Sequence, residues 1–310
     1  MSDVSIIIVN WNTKQHLISC LKSIFEYTTN GYSQEVIVVD NASTDGSPDT
    51  VATQFPQVTL IRNRENLGFA CANNIGIRRS SGRYIYLINS DVIVLDSCIK
   101  NLMEFMDKHP TAGITGPRIL NPDRTLQPQC QHFPSIWNHL CQILGLNKLF
   151  PKSSFFSEPF MKYWPHDQVR KVDAISGCFW IVRREAIDQV GLLDEDFFFY
   201  GEDIDWCKRF HQAGWDVMFY PKVEVIHHGS ASASKAPIKF YIELQKADLH
   251  YWGKHHGRIG KVSYLALIIL RNLLRLIFGA IQYVVNPSQK ETIAFKLERN
   301  FACIRWALHI

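Results

Sequence analysis

The chain has neither a Gly-x-Gly-x-x-Gly run nor a Gly-x-x-x-x-Gly-Lys-Ser/Thr run. A dinucleotide-binding fingerprint and a kinase P-loop are therefore both excluded. Its eight cysteines are scattered without a Cys-x-x-Cys pair and read as buried free thiols of a reducing compartment. No basic segment followed by an apolar stretch opens the chain, since its first apolar run, Val4 to Val9, has the length of a strand; no secretory signal is expected. The net charge of +4 on 310 residues is too small to argue for a nucleic-acid surface. Between Asp248 and Glu291 there is no acid at all, while Lys254, Arg258, Lys261, Arg271 and Arg275 accumulate. A segment of one charge sign points to an anionic partner surface.

What is present begins with an α/β alternation. Val4 to Asn12 (VSIIIVNWN) is an apolar, β-branched run of the kind buried on both faces of a sheet, and a helical pattern from Gln15 to Tyr27 follows. Glu35 to Ser47 (EVIVVDNASTDGS) repeats the arrangement, with a helix beginning near Asp49, so the spacing predicts a βαβ unit with a parallel sheet. In such sheets ligands bind beyond the carboxyl ends of the strands, where Asn10, Trp11, Asp40, Asn41 and Asp45 fall. Asp40 is the favoured nucleotide contact because a strand-end carboxylate can accept from a base N–H or a ribose hydroxyl. Asp45 serves equally well as a turn former or cap. Asn66 to Ile77 (NLGFACANNIGI) adds a turn at Gly68 and puts Asn74 on or near a helix.

Two acidic motifs carry the chemistry. Tyr84 to Val94 (YIYLINSDVIV) delivers Asp91 at the end of a strand, and Asp173 to Gly214 places Glu202, Asp203 and Asp205 between a strand and a helix, after the aromatic run Phe197 to Tyr200 and before Trp206. An acid trio at a helix start is by itself an ordinary N-terminus, where acids favour the macrodipole. With no phosphate loop, a divalent cation is the economical way to neutralise a diphosphate, and hard oxygen ligands suit Mg2+ or Mn2+.

The ordered set VNWN, VVDNASTDGS, NLGFACANN, LINSDV, SGCFWIVRREAI, GLLDEDFFFYGEDIDWCKR and HHGS resembles the inverting glycosyltransferases of family 2, and within them the rhamnosyltransferase-like members. The likeness runs from Val4 to about Ser234. It implies a GT-A fold: a Rossmann-like nucleotide-binding, mixed and mostly parallel sheet flanked by helices, with a C-terminal helical extension. It implies a nucleotide-sugar donor, dTDP-L-rhamnose as the first choice, and a saccharide acceptor on a polyprenyl diphosphate. Asp203, the second acid of the Glu-Asp pair, becomes the base and Glu202 a residue that orients the acceptor. Val9, Asn66, Gly68, Asn74, Asn89, Ser90 and Gly177 complete the expected donor surface. The motif the family writes Asp-x-Asp reads Asn89-Ser90-Asp91 here, leaving Asp91 as the main carboxylate ligand; His227, with His228 as the alternative, is the expected second metal ligand. A non-catalytic nucleotide-sugar-binding scaffold, suggested by the amide at Asn89, is opposed by the intact Glu202 and Asp203.

Residues 1–234 are the expected catalytic domain, with 121–172, rich in Pro, Phe, Trp and His, as an acceptor-side insertion. Residues 235–310 read as a helical, basic and amphipathic extension. Val262 to Val285 is long enough to span a bilayer, but Arg271, Arg275 and Gln282 share one helical face, and paired central arginines oppose spanning. An interfacial helix is expected, apolar face in the acyl boundary and basic face at the headgroups, on the cytoplasmic side of a membrane. His250, His255 and His256 lack an acid at helical ligand spacing and read as solvated or interfacial.

Overall fold

The computed structural model describes residues 2–27, 31–157, 159–229 and 237–310. The buried apolar run forms β1 (Val4–Asn10) and the alternation continues through α1 (Lys14–Glu26), β2 (Gln34–Asp40), α2 (Ser47–Gln54), β3 (Thr59–Arg62), α3 (Phe69–Arg79) and β4 (Tyr84–Asn89). These strands lie parallel in the order β3-β2-β1-β4. With strands on both sides and helices above and below, Ile6, Ile7 and Ile8 are wholly buried, which is why the run shows no polar alternation. The chain goes on through β5 (Val92–Val94), α4 (Cys98–Lys108) and β6 (Ala112–Leu120). A loop-rich stretch holds β7 (Cys130–Gln131), α5 (Ile136–Ile143), α6 (Leu146–Leu149), β8 (Arg170–Lys171) and β9 (Ala174–Ile175), before β10 (Phe179–Arg183), α7 (Arg184–Val190), α8 (Glu202–Gln212) and β11 (Asp216–His227). β10 lies antiparallel between β4 and β6, β11 runs parallel to β6, and β5 closes the edge antiparallel to β11. The sheet is mixed and mostly parallel, flanked by helices.

Register decides which residues meet at the carboxyl edge. Asn10 pairs with Asp40, and Val9 with both Val39 and Asn89. From the antiparallel side, Phe179 pairs with Ile88, which brings the Ser176–Cys178 turn beside Asn89, whose N–H donates to Cys178 O at 2.9 Å. β11 pairs His227 with Val92, and the His228 N–H donates to Asp91 O at 3.0 Å. One edge thus gathers contributions from β1, β2, β4, β10 and β11.

The chain beyond β11 is helical: α9 (Pro237–Val285), a short 3-10 turn (Pro287–Gln289) and α10 (Lys290–Ala307). The expected boundary at 234/235 lies outside the described residues. α9 is two arms meeting at Gly257, whose φ of +64° and ψ of −163° no side chain adopts without strain. The arms fold back on each other: Trp252 stacks on Tyr264 at 5.5 Å, and Tyr264 Oη donates to Asp248 Oδ2 at 2.6 Å. Their interface, with Phe197, Tyr251, Ile268 and Cys303, forms a separate apolar cluster. This hairpin corrects the expected orientation of the second arm. Arg271 donates to Gln245 Oε1 and Arg275 to Tyr241 Oη, both on the first arm, so the two arginines are engaged by the protein, with Arg271 largely buried and Arg275 still exposed. The exposed side carries Val262, Leu273, Ile277, Phe278, Ile281 and Val284.

α8 is tied to this hairpin through Asp205. Its wholly buried carboxylate accepts from Arg209 Nε at 2.8 Å on its own helix and pairs with Lys254 Nζ and His255 Nε2, each at 2.8 Å, from the first arm of α9. His255 is therefore partnered across the tertiary structure, not solvated. Burial raises the Asp205 pKa, but these three cationic or hydrogen-bonding groups outweigh it and hold the carboxyl at about 2. A depressed carboxylate contributes stability above its unfolded pKa, about 3.9, and loses it as pH falls towards the folded value. Asp205→Asn should cost about 3 kcal/mol at neutral pH, the scale for breaking a buried pair. Thermal melts should show the gap between variant and wild type closing between pH 4 and pH 2, and a constant gap across that range would mean the loss is one of packing.

Candidate active site

The carboxyl edge of the sheet, the 121–172 stretch and the first and second arms of α9 enclose one cavity of about 670 Å³. At its sheet end the turn after β4 presents Asp91, 7 % exposed, with Oδ1 3.2 Å from His227 Nε2. His227 Nδ1 lies 2.6 Å from Gln127 Oε1, an atom that only accepts, so Nδ1 carries the proton and Nε2 keeps its lone pair. The Gln127 amide is oriented by donating to Asn121 Oδ1 at 2.9 Å. Nε2 is buried and makes no hydrogen bond, and the same holds for Asn89 Oδ1 in the same cavity wall. Burial would raise the Asp91 pKa, yet a hydrogen bond and positive charge from His227 in its protonated form, with the charge of His16, hold it below the usual carboxylate range, and a bound cation would take the place of that proton.

Two orphaned acceptors beside an ionised carboxylate are a donor set for a divalent cation. Adjacent ligands of an octahedral ion with bonds of 2.0–2.1 Å lie about 3 Å apart, which matches the Asp91–His227 separation. A proton held on the far nitrogen by an amide oxygen is the usual outer support of a metal-binding histidine. Another acidic group, Asp194, Asp196 and His250, lies away from this cavity, and Asp194 already holds the Lys254 ammonium at 2.6 Å.

The opposite wall is the N-terminus of α8. Tyr200 and Gly201 both take positive φ, +72° and +82°, and this turn sets Glu202 and Asp203 into the cavity behind Phe198 and Phe199. Asp203 Oδ1 accepts from the Ile204 N–H at 2.9 Å and Oδ2 from the Gly177 N–H at 3.4 Å. Burial pushes Asp203 above its ordinary value despite these bonds. Glu202 is 6 % exposed with Oε2 unpartnered, and burial next to Asp203 raises it well above the carboxylate range. Cys178, between the walls, is pushed up by burial and by both Asp91 and Asp203. The two acidic centres thus act on one small volume.

Of the expected donor contacts, Val9, Trp11, Asn41, Asn66, Gly68, Asn89, Ser90 and Gly177 face this cavity. Gly68 has φ +84°, and a Cβ there would come within 2.5 Å of Phe198 O, so the glycine lets the aromatic loop close on this edge of the sheet. Gly177 is under no such constraint, because a Cβ would meet Trp180 and Asp203 only at 3.4–3.5 Å; its contribution is the N–H to Asp203. Asn10, Asp40, Asp45 and Asn74 do not line the cavity. Asn10 is wholly buried and its Nδ2 donates to Asp40 Oδ1 at 2.7 Å, Ser43 Oγ at 3.0 Å and Ser47 Oγ at 2.9 Å. Asp40 Oδ2 accepts from the Ser43 N–H at 2.9 Å, and Asp45 from the Lys14 and Ser47 N–H groups at 2.9 and 3.0 Å. Asn74 brackets the loop before α8, donating to Leu193 O at 2.8 Å and accepting from Leu193 N at 3.1 Å. Strand-end polar groups here satisfy turn N–H groups first.

The sequence profile described as glycosyl transferase family 2 matches residues 5–191. The chain belongs to that family. Over 270 residues it is 29% identical to the N-acetylglucosaminyl-diphospho-decaprenol L-rhamnosyltransferase of Mycobacterium tuberculosis, covering 83% of this chain and 86% of that protein. The rhamnosyltransferase WbbL of Escherichia coli is 26% identical over 171 residues, 52% of this chain and 61% of that one. In fold the chain is similar to a mannosyltransferase from Pyrobaculum calidifontis solved with GDP-Man and Mn2+, with a TM-score of 0.57, 17% identity, and coverage of 99% of this chain and 87% of that one. The fold of this family 2 glycosyltransferase is therefore the GT-A fold that its motifs imply.

Several cavity residues carry no signal in the sequence of the family 2 enzyme. Gln127, which fixes the His227 tautomer, lies in a stretch without periodicity, and Tyr241, Gln245 and Asp248 reach the cavity only because the α9 hairpin folds over it. If Asp91 and His227 hold a cation, Asp91→Ala should abolish Mn2+-dependent nucleoside diphosphate binding in calorimetry while melting like the wild type. Unchanged affinity would remove Asp91 from the site.

Proposed function

We propose that this glycosyltransferase moves L-rhamnose, with inversion, from a dTDP-linked donor to a saccharide carried on a polyprenyl diphosphate. The observation that carries this reading is a single cavity with a carboxylate–imidazole pair on the sheet side and a base of raised pKa on the helix side. Trp11, Asn89 and Ser90 would contact the donor diphosphate, and Asp91 and His227 would hold the Mg2+ or Mn2+. When bound, the cation neutralises the charge that develops on the departing diphosphate. The sugar stands between that edge and Asp203. The acceptor hydroxyl approaches from the α8 side, and Asp203 takes its proton as the oxygen attacks the anomeric carbon opposite the leaving group.

Glu202, held protonated by burial and by Asp203, has a carboxyl hydrogen to donate and orients the acceptor. The backbone N–H groups of Ile204 and Gly177 stabilise the ionised form of Asp203, so the base stays competent in an otherwise desolvating wall. The choice of rhamnose and of a lipid-linked acceptor rests on the relatives of Mycobacterium tuberculosis and Escherichia coli. The apolar outer side of the second arm of α9 supports peripheral contact with the cytoplasmic face of a membrane, through burial of apolar side chains and not through Arg271 and Arg275.

Asp203→Asn should retain donor affinity and lower transfer by at least ~10²-fold, because an amide accepts no proton. The acid limb of kcat/KM should lie above the ordinary carboxylate range, since the Glu202–Asp203 pair must lose a proton for the base to act. A panel of nucleotide sugars incubated with the wild type and Mn2+ tests the donor, and an enzyme that turns over UDP-sugars but no dTDP-sugar would overturn the donor assignment.

A further inference from the structure

Three guanidinium groups meet where the C-terminal helices cover the cavity. Arg271 and Arg275 stand one turn apart on the second arm of α9, and both line the cavity together with Asp203. Arg299 from α10 lies over the ring of Tyr241 at 4.4 Å, and the Tyr241 hydroxyl accepts from Arg275 at 3.2 Å. Among the described residues none of the three forms an ion pair with a carboxylate. Their hydrogen bonds go to neutral groups, Gln245 and Tyr241, and the Nε atoms of Arg271 and Arg299 are buried with no partner. Asp248 is a partial counter-charge to Arg271, and its Oδ2 also accepts from Tyr264 Oη at 2.6 Å. Arg271 is largely buried with Asp248 as a carboxylate acting on it, and Arg275 and Arg299 add two positive charges that no carboxylate among the described residues pairs, so an anion in the cavity would complete the set.

The group is carried by a different element from Asp91 and His227: Arg271 and Arg275 reach the cavity from the second arm of α9, and Gln245 and Asp248 reach it from the first. The arginines therefore line the cavity of Asp203 from its helical cover, away in the fold from the strand ends that carry Asp91 and His227. Arginine presents a planar fork of donors that matches phosphate oxygens, which makes such a group a diphosphate clamp. Past Arg275 the same arm runs into exposed Ile277, Phe278 and Ile281, with Phe278 on the same face one turn on, an apolar surface suited to a hydrocarbon tail.

We propose that Arg271 and Arg275, backed by Arg299, form the subsite for the diphosphate of the lipid-linked acceptor, setting the distance between that diphosphate and Asp203. This rests on the acceptor class proposed above and adds the residues that recognise it. The first arm supplies Tyr241 and Gln245 to hold the forks in place, and the exposed apolar side of the second arm receives the tail. Because the clamp is part of the α9 hairpin, acceptor length is measured from a rigid element.

The test uses full-length protein saturated with Mn2+ and dTDP so that the donor site is filled, titrated with farnesyl diphosphate by calorimetry. Wild type should bind the probe, and Arg271→Gln and Arg275→Gln should each weaken it at least 10-fold while dTDP affinity stays within about twofold, and inorganic pyrophosphate should compete. Arg275 stands at the exposed mouth, so its variant still reads the subsite if Arg271→Gln fails to fold. Phosphatidylglycerol vesicles should float wild type and variants alike. Absence of probe binding to the dTDP-loaded wild type, retention of binding in Arg275→Gln, loss of dTDP together with the probe, or loss of vesicle flotation with probe binding intact would each overturn the assignment. If dTDP itself does not bind, the donor reading fails, and the same titration without nucleotide still decides the arginines.

Discussion

A buried carboxylate is the most heavily paired link between the two parts that make the cavity. Asp205 sits in the first turn of α8 and reaches Lys254 and His255 on α9, so the helix that carries Glu202 and Asp203 and the hairpin that carries Arg271 and Arg275 are fixed relative to one another. Three acids within four residues thereby have three different fates. Asp205 is ionised and structural, Glu202 is desolvated and pushed well above the usual carboxylate range, and Asp203 is half-buried and balanced between burial and two backbone donors. Separate environments, not separate residue types, assign the roles.

The other end of the cavity follows a different economy. With an amide at Asn89, the candidate cation site carries one full negative charge, from Asp91, beside a neutral imidazole and a carbonyl oxygen. Such a donor set leaves most of the cation's charge to be met by the donor's own diphosphate, so metal and nucleotide are held best together. The geometry that permits this is inexpensive. β11 pairs antiparallel with β5, and the pairing alone carries His227 to the turn that holds Asp91, while Gln127 fixes which imidazole nitrogen stays unprotonated.

The motifs at the strand ends were legible because parallel sheets place ligands at their carboxyl edge, and Val9, Trp11, Asn41, Asn89 and Asp91 are there. Asn10, Asp40 and Asp45 lie at the same edge outside the cavity lining, with polar atoms that serve the βα turn. A spacing rule reports where a side chain stands along a strand. It does not report which N–H groups compete for it.

Local periodicity and residue type by themselves determined the βαβ alternation, the buried central strands, the two acidic motifs and the helical C-terminal segment, since each depends on neighbours a few positions away. Tertiary structure alone decided what those pieces face. The spacing of Arg271 and Arg275 showed that they share a helix face, but their direction depended on the fold-back at Gly257, which turned a basic face expected at lipid headgroups towards Gln245 and Tyr241. The partners of Asp205, the amide oxygen that faces His227 Nδ1 and the different surroundings of Glu202 and Asp203 were decided in the same way. Electrostatic roles are properties of the surroundings, and the surroundings come from residues far away in the chain.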